Sequence, residues 1–181
     1  SVYKLIKDFS PDYLICVFDG PDNKRSRTKI YNEYKSHRTS MPLDLVEQLQ
    51  RALYFCEIAG IPSLSIEGIE ADDTMGSIAK WAEKEGSEVF ICSSDKDLCQ
   101  LISDKIHIIH LHKDNLLIDE QKVKDQYGIE PSKIVDFLAI TGDTSDNIPG
   151  LEGFGPKTAS LLLNQYGSLE EILANSSKIK G

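Results

Sequence analysis

The chain alternates short, wholly apolar runs with longer stretches in which apolar residues recur at every third or fourth position. Tyr13-Leu14-Ile15-Cys16-Val17-Phe18 is apolar without interruption, the pattern of a strand covered on both faces, and it delivers Asp19. Val89-Phe90-Ile91-Cys92 is a second such run and leads to Asp95. Shorter strands are predicted at 64–66, 106–111 and 116–118. Helical spacing covers 1–9, then a segment from Pro42 that carries Leu45, Leu49, Leu53 and Cys56 until Gly60, then 72–85, which Gly86 stops. Repeated strand, acid, helix units predict an α/β fold with a mostly parallel central sheet flanked by helices. From Asp119 the pattern turns helical, with segments at 131–140, 156–166 and 168–173. The expected division is therefore an α/β core over 1–118 and a helical region over 119–181.

With 181 residues and 40% apolar content, the chain is long enough to bury one substantial core. Its formal charge of -9 argues against a nucleic-acid partner only if the charges are evenly spread. They are not. Lys24, Arg25, Arg27, Lys29, Lys35 and Arg38 crowd a segment at about 21–40, interleaved with Tyr31 and Tyr34 and interrupted by Glu33. On a helix, Tyr31, Lys35 and Arg38 would share a face. A solvated charged helix is the plainer reading. The segment follows Asp19 directly, however, which favours cations placed to hold a phosphate backbone. Cys16, Cys56, Cys92 and Cys99 form no C-x-x-C pair and are expected as free thiols rather than zinc ligands. His107, His110 and His112 alternate with apolar residues as sheet and surface positions do. Neither a signal peptide nor a membrane-length apolar run is present in the sequence, so the expectation is a cytoplasmic protein with no membrane partner.

The candidate chemistry lies in seven carboxylates that arrive in four clusters at strand ends or loops: Asp19, Glu70 with Asp72, Asp95 with Asp97, and Asp143 with Asp146. Asp73 stands in reserve beside Asp72. Any one pair alone is more often a turn or a helix cap. Four of them approached by strand-like runs suit one site beyond the carboxyl ends of a sheet. Oxygen donors of this kind select hard cations such as Mg2+ or Mn2+, and a pair of ions about 3.5–4 Å apart needs several acids to hold it.

A glycine-rich turn, Gly150-Leu151-Glu152-Gly153-Phe154-Gly155-Pro156-Lys157-Thr158-Ala159, joins two predicted helices. Pro156 suits a first helical turn, and the amides that follow, with Lys157 and Thr158, would offer an anion site to a backbone phosphate. Pro156 separates Gly155 from Lys157, so the turn is not a P-loop. A purely structural turn is the alternative.

Taken together, Val17-Phe18-Asp19-Gly20, Tyr34-Lys35-x-x-Arg38, Gly68-Ile69-Glu70-Ala71-Asp72-Asp73, Ser94-Asp95-Lys96-Asp97-Leu98, Thr141-Gly142-Asp143-x-x-Asp146-Asn147-Ile148-Pro149-Gly150 and Gly153-Phe154-Gly155-Pro156-Lys157-Thr158-Ala159 resemble the 5′ nuclease superfamily, in particular the 5′ nuclease domain of bacterial DNA polymerase I. The resemblance runs over essentially the whole chain. It implies a PIN-like core with a basic helical arch at about 21–40 and a C-terminal helix-three-turn-helix that binds duplex DNA, usually with a monovalent cation such as K+. By motif, Asp19, Glu70 and Asp72 would serve one metal and Asp72, Asp95, Asp97 and Asp146 the other, with Asp73 and Asp143 in support. Tyr34, Lys35 and Arg38 would lie over the scissile phosphate. Arg27 would be a further basic arch position, with Gly153, Gly155, Lys157 and Thr158 on the duplex.

The implied activity is hydrolysis of DNA at 5′ flaps, nicks and ends in primer removal and repair. Two metals would activate a water and stabilise the leaving 3′ oxygen, with no covalent enzyme intermediate. The implied partners are branched DNA and a polymerase domain in the parent chain; an oligomer is not expected. Family members open with a strand and Asp-Gly that precede the counterpart of Ser1 and add a metal ligand. The second reading is therefore a fragment that grips branched DNA but cleaves it poorly. A phosphatase of the haloacid dehalogenase type would need a second Asp where Pro21 stands.

Overall fold

The computed structural model describes residues 2–111 and 115–179, so His112 lies outside the described residues. Its contacts group into two compact units, Ser1–Met75 and Gly76–Gly181.

In the first unit, α1 (Val2–Phe9) is amphipathic as expected and turns Leu5 inward. The first apolar run yields a strand only over its last half, β1 (Cys16–Phe18), because that is where it meets β2 (Ser63–Ser65) in parallel, Val17 opposite Leu64. Tyr13, outside the pairing, is 94% exposed. The basic segment forms only a short helix, α2 (Arg25–Ile30), after which Tyr31 is extended and the chain continues in turns. Tyr31, Lys35 and Arg38 therefore do not share a helical face. Lys35 takes a left-handed conformation (φ 50°), which a continuous helix excludes. Helix α3 (Leu43–Ile58) has the predicted extent, and Gly60 (φ 66°) turns the chain beyond it. Its inward line is Leu49, Ala52 and Cys56, whereas Leu45 and Leu53 remain about 40% exposed.

The first turn of α4 (Ala71–Lys84) carries Asp72 and Asp73, and the boundary between the units falls within this helix. In the second unit, β3 (Val89–Cys92) pairs in parallel with β4 (Ile106–His110), and β4 pairs antiparallel with β5 (Leu116–Ile118). Among the described residues two of the three strand pairings are thus parallel, and the mixed α/β class with mostly parallel pairing is as expected. His107 and His110 are half-buried strand residues of β4. A 3-10 turn (Lys96–Leu101) follows the β3 loop. The helical region comprises α5 (Glu120–Tyr127), α6 (Ile134–Thr141) entered by a 3-10 turn at Pro131–Lys133, α7 (Pro156–Tyr166) and α8 (Leu169–Ala174). Ser168 caps α8 by accepting from the Glu171 amide.

Ile106, Ile108, Ile109, Val123, Ile129, Ile134, Ile140 and Leu163 are fully buried and form the core under this unit. At about 1.5–3 kcal/mol for each buried aliphatic side chain, they are its main source of stability. All four cysteines are free, Cys56 and Cys99 buried, Cys16 and Cys92 half-buried. Among the described residues no helix is long and apolar enough to cross a membrane.

Candidate metal and nucleic-acid sites

In the first unit the parallel pairing of β1 with β2 sets Asp19 just past a strand end. Gly20 follows because a Cβ there would lie 1.7 Å from the Ile66 carbonyl oxygen. Asp19 Oδ1 accepts from the Ala71 amide at 2.8 Å and so caps the start of α4. Glu70, the residue before that helix, is buried. A buried carboxylate needs partners, and it has two hydrogen-bond donors and a nearby guanidinium among the described residues. Tyr34 Oη donates to Oε2 at 2.9 Å, Lys35 Nζ donates to Oε1 at 3.0 Å, and Arg27 Nη1 stands 3.4 Å away. The Lys35 ammonium also lies 4.8 Å from the centre of the Tyr34 ring.

Arg27 forks onto Asp73, at 2.7 and 2.9 Å, and that pairing holds the Asp73 carboxyl below its usual range. The same bond raises the Arg27 guanidinium against the opposing effect of burial. Three of the basic-segment residues expected to face phosphate, Arg27, Tyr34 and Lys35, therefore face acids. Arg38 is exposed, and Asp72 is half-buried on the first turn of α4.

In the second unit Asp97, Asp143 and Asp146 each present a carboxylate oxygen, all within 4.8 Å of one another. Asp143 is fixed by a tight loop: its amide and carbonyl exchange 2.8 Å hydrogen bonds with Ile148. Gly142 enters the loop with φ 75°, where a Cβ would meet the Gly150 amide nitrogen at 2.4 Å, so the motif requires glycine there. Asp143 Oδ1 accepts from the Ser145 amide and hydroxyl at 2.9 and 2.5 Å, and Oδ2 accepts from Lys96 Nζ at 2.7 Å. Burial alone would raise this carboxyl, but the Lys96 and Ser145 bonds outweigh it and bring it down to about 2. Asp97, which accepts from Lys96 at 3.1 Å, is pushed up by burial despite that bond.

Asp95 uses one oxygen to cap the 3-10 turn through the Asp97 amide, at 2.9 Å, and is not among the three converging acids. Asp143, expected in support, is. Burial, with the neighbouring charges of Asp95 and Asp97, raises the Cys99 thiol to about 11, which keeps it protonated and inert beside them.

The glycine turn opens α7 as expected. Gly153 has φ 84°, Gly155 is the N-cap residue with no side-chain cap bond, and Pro156 occupies the first turn. Gly153, Gly155, Lys157 and Thr158 are all exposed, as a phosphate-binding helix end requires. The role of Lys96 was not apparent from the sequence, although its position between two aspartates was the signal. Ser145 as a buttress left no such signal.

A family model described as 5'-3' exonuclease, N-terminal resolvase-like domain, matches residues 1–128, and one described as 5'-3' exonuclease, C-terminal SAM fold, matches 129–181. A 5'-3' exonuclease of Buchnera aphidicola subsp. Acyrthosiphon pisum is 41% identical over 99% of this chain and 62% of its own length. One from Aquifex aeolicus is 43% identical over 99% and 61%. The thermostable DNA polymerase I of Thermus aquaticus is 42% identical over 99% of this chain and 21% of its own. The chain thus spans less than two thirds of the curated relatives it matches. Among solved structures, T5 5'-exonuclease with bound divalent zinc ions superposes with a TM-score of 0.85 at 25% identity, over 99% of this chain and 69% of that one. The catalytic core of Rad2 in complex with a DNA substrate shares the fold at a TM-score of 0.56 and 19% identity, over 91% and 51%. With both family models tiling it end to end, the chain belongs to the 5'-3' exonuclease family.

Proposed function

We propose that this chain is the nuclease part of a metal-dependent 5'-3' exonuclease that hydrolyses phosphodiester bonds at 5′ ends, nicks and flaps of DNA, in primer removal and repair in the cytoplasm. The observation that carries this reading is the convergence of Asp97, Asp143 and Asp146. An ammonium already lies against two of those carboxylates, so the donor set fits a cation. All-oxygen donors favour Mg2+ or Mn2+, and the zinc-bound T5 5'-exonuclease supports a divalent ion without choosing between them. Asp97, Asp143 and Asp146, with Asp95 beside them in sequence, would hold one ion, and Asp19, Glu70 and Asp72 another. Bound divalent ions supply activation of the attacking water and neutralise charge at the leaving oxygen.

The chain's own residues do the positioning. Ser145 and the Ile148 bridge keep Asp143 in place. Lys35 neutralises Glu70 and Tyr34 donates to it, and both, with Arg38, are the arch residues that would orient the 5′ strand. Arg27, Gly153, Gly155, Lys157 and Thr158 would contact the phosphate backbone without reading bases. The basic segment would act within a core spanning 1–118, and 119–181 would grip the duplex, with a polymerase domain as the expected neighbour in the parent chain.

The test is cleavage of a 5′-flap duplex with Mg2+, with chelator, and by an Asp143→Asn, Asp146→Asn variant. Metal-dependent release of short 5′ products that the variant loses is the expected result. Metal-independent cleavage would refute the reading, and tight flap binding without cleavage by either protein would favour the branched-DNA-binding alternative.

A further inference from the structure

Lys96 has no role in the hydrolysis described above, yet its ammonium occupies the position a metal would want. Nζ donates to Asp143 Oδ2 at 2.7 Å and to Asp97 Oδ1 at 3.1 Å. These are two of the three acids whose oxygens converge within 4.8 Å. Three carboxylates gathered so closely repel one another unless a positive charge lies among them. An ammonium and a hard divalent ion seek the same lone pairs, so the two compete.

The pair is also asymmetric: the Lys96 side chain is 40% exposed, whereas that of Asp143 is 5% exposed and pinned from its other side by Ser145. In an exchange the lysine would move and the acid would stay. It has room to do so, because Lys96 lines a cavity of about 380 Å³ bounded by Tyr127, Phe137, Thr141 and Gly142. We propose that Lys96 is the resident counter-cation of the Asp97, Asp143 and Asp146 group, holding these acids together until a divalent ion displaces it and thereby setting the affinity for that ion. This rests on reading the three acids as a metal site. Lys35 in the first unit differs: it lies 3.0 Å from Glu70 Oε1 with the two side chains only 9% and 6% exposed, so it lacks this asymmetry.

The experiment is calorimetric titration of Mn2+, without DNA, into the 181-residue chain and its Lys96→Met, Lys96→Arg and Asp143→Asn variants. It is paired with thermal unfolding of each in chelator and in Mn2+. Lys96→Met should bind Mn2+ roughly two- to fivefold more tightly, as expected for loss of one part-exposed competing charge. It should unfold at lower temperature in chelator and regain more stability from Mn2+ than the wild type does. Lys96→Arg, which keeps the charge, should stay near wild type, and Lys96→Gln repeats the measurement if the methionine variant does not fold. Mn2+ affinity in Lys96→Met equal to or weaker than wild type, while Asp143→Asn still loses binding, would overturn the proposal and leave the metal site standing. Wild-type affinity in Asp143→Asn would overturn both.

Discussion

Glu70 shows how far a residue's setting can depart from what its neighbours in sequence announce. Beside Asp72 and Asp73 it reads as a surface ligand. It is in fact buried, and its donors come from Tyr34 and Lys35, some three dozen positions away, a pairing that no local pattern encodes. Tyr34→Phe removes one donor to a buried carboxylate and should cost about 1–3 kcal/mol in urea unfolding, and its loss combined with that of Glu70→Gln should be smaller than the sum of the two single losses. Additive losses in the double variant would show that the hydroxyl bond is not what the phenylalanine removes. Asp143 makes a pH-dependent contribution. Its folded pKa of about 2 lies below the ordinary 3.8, so the stability it contributes is complete above about pH 4 and is lost as pH falls toward about 2. The full shift would be worth about 2 kcal/mol, reduced because Asp97 is shifted the opposite way. Asp143→Asn should therefore flatten the acid limb of the stability profile measured by urea unfolding, and an unchanged limb would locate the acid sensitivity elsewhere.

Elements were most legible where periodicity and a stop signal agreed. Helix α3 runs from the residue after Pro42 to just before Gly60 because proline and glycine punctuate it, and α7 starts at Pro156 for the same reason. The first strand was overread because an apolar run says how a segment is covered but not where its hydrogen-bond partner lies; β2 reaches only Cys16–Phe18. The shared helical face of Tyr31, Lys35 and Arg38 is not realised, because helical spacing of three side chains cannot foresee the left-handed Lys35. The acids of the second unit, Asp97, Asp143 and Asp146, were legible as strand-end and loop carboxylates, whereas the choice of Asp143 over Asp95 is made by the Gly142 loop. In the glycine turn, Gly155 has an ordinary extended conformation with open space where a Cβ would stand, while Gly153 is left-handed. The expectation that the turn itself demands glycine therefore belongs to Gly153. Gly153→Val should cost about 1–2 kcal/mol of stability, and Gly155→Val should leave the denaturation midpoint nearly unchanged. Equal losses at both positions would mean that packing, not backbone handedness, governs the turn.

For the molecule as a whole, a formal charge of -9 and the proposed DNA substrate are compatible because each sign is concentrated locally. Part of the basic segment's charge is already committed: Arg27 and Lys35, two of its six cations, are paired with Asp73 and Glu70. A count of lysines and arginines would therefore overstate how many counterions DNA binding releases. This gives two different expectations for two neighbouring cations. Replacing Lys35 by Ala leaves the buried Glu70 short of a counter-charge, so it should reduce stability as well as binding. Arg38 is exposed. If it meets one backbone phosphate, Arg38→Ala should weaken binding alike for flaps of unrelated sequence. It should also make the slope of log affinity against log salt shallower by about 0.7–0.9, the increment for a single contact. Fluorescence anisotropy with a labelled flap in Ca2+, at several salt concentrations, measures this. An unchanged slope would remove Arg38 from the phosphate path. A slope that changes in Lys35→Ala by as much as in Arg38→Ala, with stability intact, would show that the Glu70 pairing gives way to DNA.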